Sequence, residues 1–363
     1  MMKRSLLTGV AYHGNRMPSH YRMDLEKIAR ADMDIVVHML SHTDWERHSK
    51  VIKEMCRMTM DAGMDVWVDN WGIGGSPGDK SHFLTAHPEC RMVLSNGEMH
   101  PTQICLNSPA YRKFVHQWID VVADMGVSSI IWDEPMVPTK RIEPGSNTRY
   151  YACACPTCKK IYEEKFGHEM SLYFDAEAEE FGIDTMVDFF RDVTDYSASL
   201  GLKNVTCLVP RYFFAAELKL IRRLSALPHM DNLGTDPYWS NYGAGIDPDW
   251  AKEHSDWQPY EYVYDRTKRM LEVTEQFGKE HNLWIQTHMV DAGHEEEIIW
   301  ATEAAYDAGA RCILSWSFAG AESNNYRCGN PERAWEAQVE GMRRIRSMER
   351  DRVLAEHRAK YCK

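Results

Sequence analysis

The sequence lacks any apolar run long enough for a membrane helix. A bilayer-spanning helix needs about 18 consecutive apolar residues, and no window of the 363-residue chain approaches that length. The opening segment, Met1 to Ala11, has only a short apolar run with no small-residue cleavage site behind it, so we interpret it as a first strand and not as a secretory leader. The sequence therefore predicts a soluble, cytoplasmic protein.

Positive charge is also scarce. Lys and Arg total 42 against 54 Asp and Glu, which gives a formal net charge of −12. A phosphate backbone is repelled by such a chain unless basic residues cluster, and they do not. We therefore expect no nucleic-acid partner, while the oligomeric state stays open, a homo-oligomer included.

Cysteine, tryptophan and histidine are plentiful by contrast, at 10, 12 and 16 residues. In a chain without a leader the cysteines are expected to stay reduced, so a cysteine cluster indicates a metal site more readily than disulfides. Tryptophan and histidine in such numbers suggest an aromatic-lined cleft.

Short apolar or β-branched runs alternate along the chain with longer segments of helical periodicity. Eight such runs occur: Leu6–Tyr12, Asp34–Met39, Asp65–Asp69, Ser129–Trp132, Asn204–Val209, Asn232–Thr235, Leu283–Thr287 and Cys312–Trp316. Eight strand-and-crossover units predict a (β/α)8 TIM barrel. A doubly wound sheet is the main rival, but no G-x-G-x-x-G follows the first strand.

Neither repeats nor composition breaks divide the chain, so we expect a single barrel domain over residues 1–363. Three long segments follow predicted strands 3, 4 and 6, at 70–107, 135–182 and 237–260. All three leave the C-terminal end of a strand, which is the face where barrels carry their active sites.

Polar and aromatic residues recur at these strand ends. Any strand must end somewhere, and Asp, Asn and Pro are ordinary at such positions, but a ring that also holds His, Gln and Trp favours a binding site. The residues we expect to hold a substrate are His38, Asp69, Trp71, Arg211, Tyr238, Trp239, Gln286, His288 and Trp316.

Asp133 and Glu134 follow a hydrophobic strand and precede Pro135. Partial desolvation and a neighbouring carboxylate both raise the pKa of an acid, which suits a general acid working near neutrality. The alternative is that Asp133 caps the next segment while Glu134 is a solvated loop residue.

Asp236 supplies a second carboxylate two strands away, followed by Pro237, Tyr238 and Trp239. Flat sugar faces pack on aromatic rings, although the same aromatics are compatible with an ordinary buried turn. Two carboxylates across a barrel mouth are the groups that cleave glycosidic bonds. A separation of about 5–5.5 Å indicates retention of configuration and roughly 6.5–9.5 Å inversion.

Three cysteines lie together at Cys153, Cys155 and Cys158. With a fourth thiolate they would suit a closed tetrahedral zinc site of structural type. The candidates for that fourth ligand are Cys105, Cys90 and Cys328, and three free cysteines are the alternative.

Ile104-Cys105-Leu-Asn-Ser-Pro-Ala-Tyr-Arg112 before a helix, then Asp133-Glu134-Pro135 and the later C-x-C-x-x-C, resembles the β-galactosidases of glycoside hydrolase family 42 and related uncharacterised barrels. The resemblance covers about the middle third of the chain. It implies one zinc and an acid/base at Glu134. The zinc ligands that it implies are Cys105, Cys153, Cys155 and Cys158.

The chain departs from that family in two places. Asp133 stands where the family has Asn, and the seventh strand reads Trp284-Ile-Gln286-Thr-His288, without the nucleophilic Glu. Glu295 to Glu297 come later and are expected in the first turn of the next helix. We therefore expect Asp236 to act as the nucleophile in place of the missing Glu. An Asp-Glu pair also resembles barrels in which the substrate's acetamido group attacks, with Asp133 orienting it.

The sequence thus predicts a glycoside hydrolase acting on a small oligosaccharide or glycoside, with Glu134, Asp236 and Asp133 as catalytic residues and a structural zinc. One alternative is a metal-dependent sugar isomerase or lyase, with His13, His38, Asp133 and His288 as ligands. The other is an inactive carbohydrate-binding barrel, suggested by the missing seventh-strand Glu.

Overall fold

Eight parallel strands close into a barrel, in which each strand pairs with the next barrel strand along the chain and the last pairs with the first. The computed structural model describes residues 5–70, 82–135, 139–143, 147–210, 218–239 and 258–361. The barrel strands are β1 (Leu7–Tyr12), β2 (Ile35–Met39), β3 (Asp65–Asp69), β6 (Ser129–Asp133), β9 (Lys203–Leu208), β10 (Asn232–Thr235), β11 (Glu280–Gln286) and β12 (Cys312–Trp316). The predicted (β/α)8 barrel is confirmed, and each of the eight predicted strands overlaps a strand of the barrel.

Most of the helices follow the barrel strands and cover their outer faces. The helices are α1 (Pro18–Arg30), α2 (His42–Asp61), α3 (Phe83–Ala86), α4 (Pro109–Asp124), α5 (Pro156–Phe166), α6 (Ala176–Ser199), α7 (Leu218–Ser225), α8 (Pro259–Gln276), α9 (Glu296–Ala308) and α10 (Pro331–Tyr361). Of these, α3 and α5 lie in the segments inserted after the third and fourth strands. Within the part of the chain that the structure describes, no helix has the length and apolar character needed to cross a bilayer.

Local signals explain where several helices begin and end. Ser108 caps α4 by accepting a hydrogen bond from the Tyr111 amide, as the Ser-Pro pair predicts. In α2 the N-cap is Ser41, and the Asp44 side chain completes a capping box with the Ser41 backbone. Gly182, expected to end the insertion at 135–182, is buried inside α6, because that helix begins at Ala176.

Two small hairpins build the insertions after the third and fourth barrel strands. The first pairs β4 (Arg91–Val93) with β5 (Met99–Ile104), and the second pairs β7 (Thr139–Arg141) with β8 (Arg149–Tyr151). A bridge between Leu94 and Ala152 joins the two insertions.

Strand alternation divides the core into two layers. One side of each strand packs against the helices in the larger hydrophobic cluster. The other side fills the barrel, where Val37, Trp67, Ile131, Cys207 and Trp284 form a separate cluster. Residues that continue this inward-facing series reach the C-terminal mouth of the barrel.

Candidate active site

Two aspartates continue the inward-facing series into the mouth. Trp67 and Ile131 face the barrel interior, so Asp69 and Asp133, two residues further along β3 and β6, face it as well. Asp69 is buried and Asp133 is half-buried. The register places Asp133 opposite Cys207 on β9.

Glu134 reaches the same mouth through an unusual backbone conformation. Alternation alone would turn Glu134 outward after Asp133, but its φ is 38°, in the left-handed region. That conformation costs a non-glycine residue about 1–2 kcal/mol. The Glu134 amide still donates to the Cys207 carbonyl at 2.9 Å. The backbone of Glu134 is therefore still paired with β9, and only its side chain departs from the strand alternation.

The Glu134 side chain makes hydrogen-bonding contact with that of Asp236, which follows β10. Asp236 is 3% exposed. Burial, and then the Glu134 carboxylate, raise its pKa well above the usual value. Among the described residues, Asp236 Oδ1 is buried without a hydrogen-bond partner. The contact sets the two carboxyls side by side at the mouth, and the raised pKa favours a proton on Asp236.

Asp133 has a perturbed pKa too. Burial raises it well above its usual value, and the charges of Asp69 and Glu134 add to the effect. The Asn70 side-chain oxygen accepts a hydrogen bond from the Asp133 amide at 3.0 Å. The shift favours the protonated carboxyl, and in that form Asp133 can donate a hydrogen bond to a ligand hydroxyl.

Aromatic rings form the wall of the mouth beside these acids. His288 meets Trp316 edge-on at 4.6 Å and Tyr238 edge-on at 4.7 Å between ring centroids. His13 meets Trp316 edge-on at 4.8 Å. The Gln286 amide donates to the His288 carbonyl at 2.8 Å, which ties β11 to the loop that carries His288.

The two histidines are neutral over the physiological range. Burial lowers the pKa of His288 to about 4, and burial, together with the Arg16 charge, lowers the pKa of His13 to about 3. His288 Nδ1 lies 3.2 Å from the Trp316 carbonyl. Since a carbonyl only accepts, Nδ1 holds the proton and Nε2 is left as an acceptor.

Two residues predicted to bind substrate are not brought to this mouth. His38 lies on the helix-facing side of β2, where Nε2 is 3.2 Å from both the Tyr21 hydroxyl and Thr59 Oγ1. The Trp239 indole donates to Glu297 on α9 at 2.7 Å. Trp71 and Arg211, also predicted, lie outside the described residues.

The alternative set of metal ligands is not assembled either. His38 faces away from Asp133 and His288, because it alternates with the inward-facing Val37. In the described part of the chain, none of the groups whose donor atoms lie close enough to share an ion includes His13, His38, Asp133 or His288. Glu296 and Glu297 occupy the first turn of α9, as expected.

The four cysteines named from the resemblance do come together. Their sulfur atoms lie within 4.8 Å of one another, and all four residues are buried. Cys105 Sγ is 3.8 Å from Cys155 Sγ and 3.5 Å from Cys158 Sγ. The Asn107 amide donates to Cys158 Sγ at 3.3 Å. Cys90 is not part of this group; its sulfur accepts from the Ser108 hydroxyl.

Tetrahedral zinc with Zn–S bonds of about 2.3 Å places its sulfurs roughly 3.8 Å apart. The two sulfur separations quoted for Cys105 match that spacing. Cys105 follows β5, while Cys155 and Cys158 begin α5. The four thiols therefore fit zinc, and they connect the two insertions that flank the mouth.

Sequence reasoning missed some residues of the site. The Asn70 side chain accepts from the Asp133 amide, and the Cys207 carbonyl accepts from the Glu134 amide. Neither contact between strands has a local signal in the sequence. Tyr326, half-exposed with its ring 6.4 Å from that of Trp316, carried no sequence signal because it lies in a loop after β12.

Comparison with known proteins gives no match to any family model. Among curated proteins, likewise, no sequence matches.

Solved structures do resemble this chain. The catalytic domain of β-amylase from Paenibacillus polymyxa is 9% identical with a TM-score of 0.62, and the match covers 93% of this chain and 98% of that one. A protein described as GH5_18 from Streptomyces cattleya, in complex with GlcNAc, is 13% identical with a TM-score of 0.60, over 94% of this chain and 81% of the other. A D-allulose 3-epimerase from Methylomonas sp. has 11% identity and a TM-score of 0.50, over 94% and 99%. At such identities the likeness shows the barrel fold and not the reaction.

Proposed function

We propose that this protein is a glycoside hydrolase that cleaves a glycosidic bond of a small oligosaccharide or glycoside. The observation that carries the proposal is the contact between the Glu134 and Asp236 carboxyls at the barrel mouth. Two neighbouring acids can supply both a proton donor and a carboxylate, which is the minimum that glycosidic cleavage needs. Two of the similar folds are described as a β-amylase domain and a GlcNAc complex, which agrees with a sugar substrate.

In the proposed mechanism, Glu134 is the proton donor. It is half-buried while Asp236 is almost fully buried, so an entering glycosidic oxygen meets Glu134 first. The proton held by Asp236 passes by way of Glu134 to that oxygen as the bond between it and the anomeric carbon breaks. Asp236, then a carboxylate, either bonds to the anomeric carbon or takes a proton from the attacking water, and the water restores the proton of the pair.

Neighbouring groups would hold the sugar. Asp133, whose protonated form is favoured by its raised pKa, would donate to a hydroxyl, and Asp69 would accept from one. Trp316 and Tyr238 would pack on the apolar face of the ring. His288 would accept a hydroxyl hydrogen bond at Nε2.

We propose further that Cys105, Cys153, Cys155 and Cys158 hold a structural zinc. The cluster is buried and four thiolates leave no open coordination position, so a zinc there would brace the insertions and take no part in the reaction.

A panel of aryl glycosides tests the proposed activity, and the anomeric configuration of the first product, followed by NMR, distinguishes retention from inversion. Calorimetry with the corresponding free sugars should accompany the assay. Turnover of at least one glycoside is expected. Sugar binding without any cleavage across the panel would instead indicate an inactive carbohydrate-binding barrel.

A further inference from the structure

A second group of metal-binding side chains lies apart from the cysteines. His42 is the first residue of α2, Glu46 follows one turn later, and His82 directly precedes α3. Glu46 Oε1 lies 3.5 Å from His42 Nε2 and 3.1 Å from His82 Nε2. The three donor atoms are all within 4.8 Å of one another.

The surroundings hold His42 firmly and leave the other two side chains adjustable. The His42 side chain is only 10% exposed, whereas those of Glu46 and His82 are 50% and 46% exposed. The His42 ring packs edge-on against Phe114 at 4.7 Å between centroids. It also stacks on the His82 ring at 3.8 Å with an interplanar angle of 6°, and the Trp45 ring packs beside it at 5.6 Å.

The ligand atoms of this group favour a particular class of metal ion. Two imidazole nitrogens and one carboxylate oxygen suit zinc and similar transition metals, while calcium and magnesium select sites made of oxygen ligands. A histidine and a carboxylate at positions i and i+4 of a helix lie on one face and can address the same ion. Three protein ligands leave a coordination position open to water.

We propose that His42, Glu46 and His82 bind a zinc-type divalent metal ion, at a site separate from the four cysteines. Two Zn–N bonds of about 2.0–2.1 Å in a tetrahedral arrangement place the nitrogens about 3.3 Å apart. Rotation of the half-exposed His82 and Glu46 side chains completes that arrangement around the fixed His42. The ion links α2, which follows β2, to the segment after β3, on the face of the barrel that carries the acid pair.

Metal titration of the full-length protein tests this site. Co²⁺ is expected to bind at two equivalents in the wild type. One equivalent gives the intense near-ultraviolet charge-transfer absorption of thiolate ligands, and the second gives only weak visible bands. His82→Ala and Glu46→Gln should each remove the second equivalent and leave the thiolate band unchanged.

His48→Ala is the matched control, because His48 lies on the same helix beside an acid, Asp44. That acid is already held by Arg16 through two hydrogen bonds at 2.9 and 3.0 Å. His48→Ala should keep both equivalents. Zinc calorimetry of Cys105→Ser should show the remaining site, with an affinity at least tenfold weaker after His82→Ala is added.

If Cys105→Ser does not fold, the comparison of total equivalents between wild type and His82→Ala still decides. A single equivalent in the wild type that carries the thiolate band would overturn the proposal. So would a second equivalent that His48→Ala weakens as much as His82→Ala does, since that result indicates ordinary surface histidines. Neither result bears on the glycosidase activity, which is measured separately.

Discussion

Glu134 and Asp236 hold their carboxyl groups in hydrogen-bonding contact at the ends of the fourth and sixth barrel strands. The contact depends on the left-handed backbone of Glu134, which turns its side chain into the mouth when strand alternation would turn it out. The backbone strain and the buried acid are both unfavourable for folding, which is typical of functional sites.

Neutralising either member of this pair should abolish most of the activity. Because Glu134→Gln and Asp236→Asn each remove a group that exchanges a proton, we expect kcat for a cleaved glycoside to fall by about 10²–10⁴-fold. Glu296→Gln is the control, since Glu296 is an exposed carboxylate on α9 outside the mouth. Steady-state kinetics at several pH values measure the effect. Wild-type turnover in both acid variants would rule out the pair as the catalytic machinery.

Asp236→Asn should also stabilise the fold, increasingly so as the pH rises. The folded-state pKa of Asp236 lies above its unfolded value, so its favourable contribution is complete below about pH 4 and is lost as the pH climbs toward the folded pKa. The variant does not lose stability in this way, because an amide side chain does not titrate. Urea unfolding at pH 5 and pH 8 should show a larger advantage at pH 8, of at least about 1 kcal/mol.

Glu296→Gln again serves as the control, and its free energy of unfolding should show little difference between the two pH values. A variant of Asp236 that is less stable than wild type at pH 8 would mean that the pair stabilises the folded state as a fully ionised group, contrary to the burial seen here.

Much of the fold could be predicted from the sequence because each barrel strand is an apolar run followed by polar residues. The seventh strand was predicted to begin at Leu283, yet it begins at Glu280. Its polar first residues gave no hydrophobic signal, although Asn282 is buried and bonds to Asn232 at 2.7 Å. Pairing with the neighbouring strands, and not a hydrophobic pattern, extends the seventh strand back to Glu280.

It was harder to predict which side chains of a strand point into the barrel and which point toward the helices. In Ile35-Val-Val-His38-Met39 both sides of the strand are buried, so the pattern does not show whether His38 or Val37 faces the mouth. Trp239 follows Asp236 closely, but a distant partner, Glu297, draws its indole away from the site. Such tertiary contacts have no local signal in the sequence.

The two tryptophans predicted to bind sugar should therefore behave differently. Trp316→Ala removes the central ring of the aromatic wall, and we expect sugar affinity to fall about tenfold or more, since a lost stacking contact and its buried area amount to about 1.4 kcal/mol. Trp239→Phe should leave affinity unchanged while costing about 1 kcal/mol of stability, through loss of the hydrogen bond to Glu297. Calorimetry and thermal unfolding of both variants provide the measurements. Equal losses of affinity would place Trp239 in the sugar site after all.

The cysteine cluster yields the last prediction. Cys105→Ser should lose one tightly held zinc, as measured by elemental analysis, because a hydroxyl is a poor replacement for a thiolate ligand. With free zinc 100-fold above the dissociation constant, the stabilisation lost is about 2.7 kcal/mol. Cys90→Ser is the matched control. The Cys90 carbonyl accepts from the Cys105 amide at 2.8 Å, yet its sulfur lies outside the cluster, so this variant should keep its zinc.

Since zinc would join the two insertions beside the mouth and not the acids themselves, chelation should lower the melting temperature before it lowers kcat of the remaining folded protein. Zinc loss from Cys90→Ser and retention in Cys105→Ser would show that the ligand set is wrong.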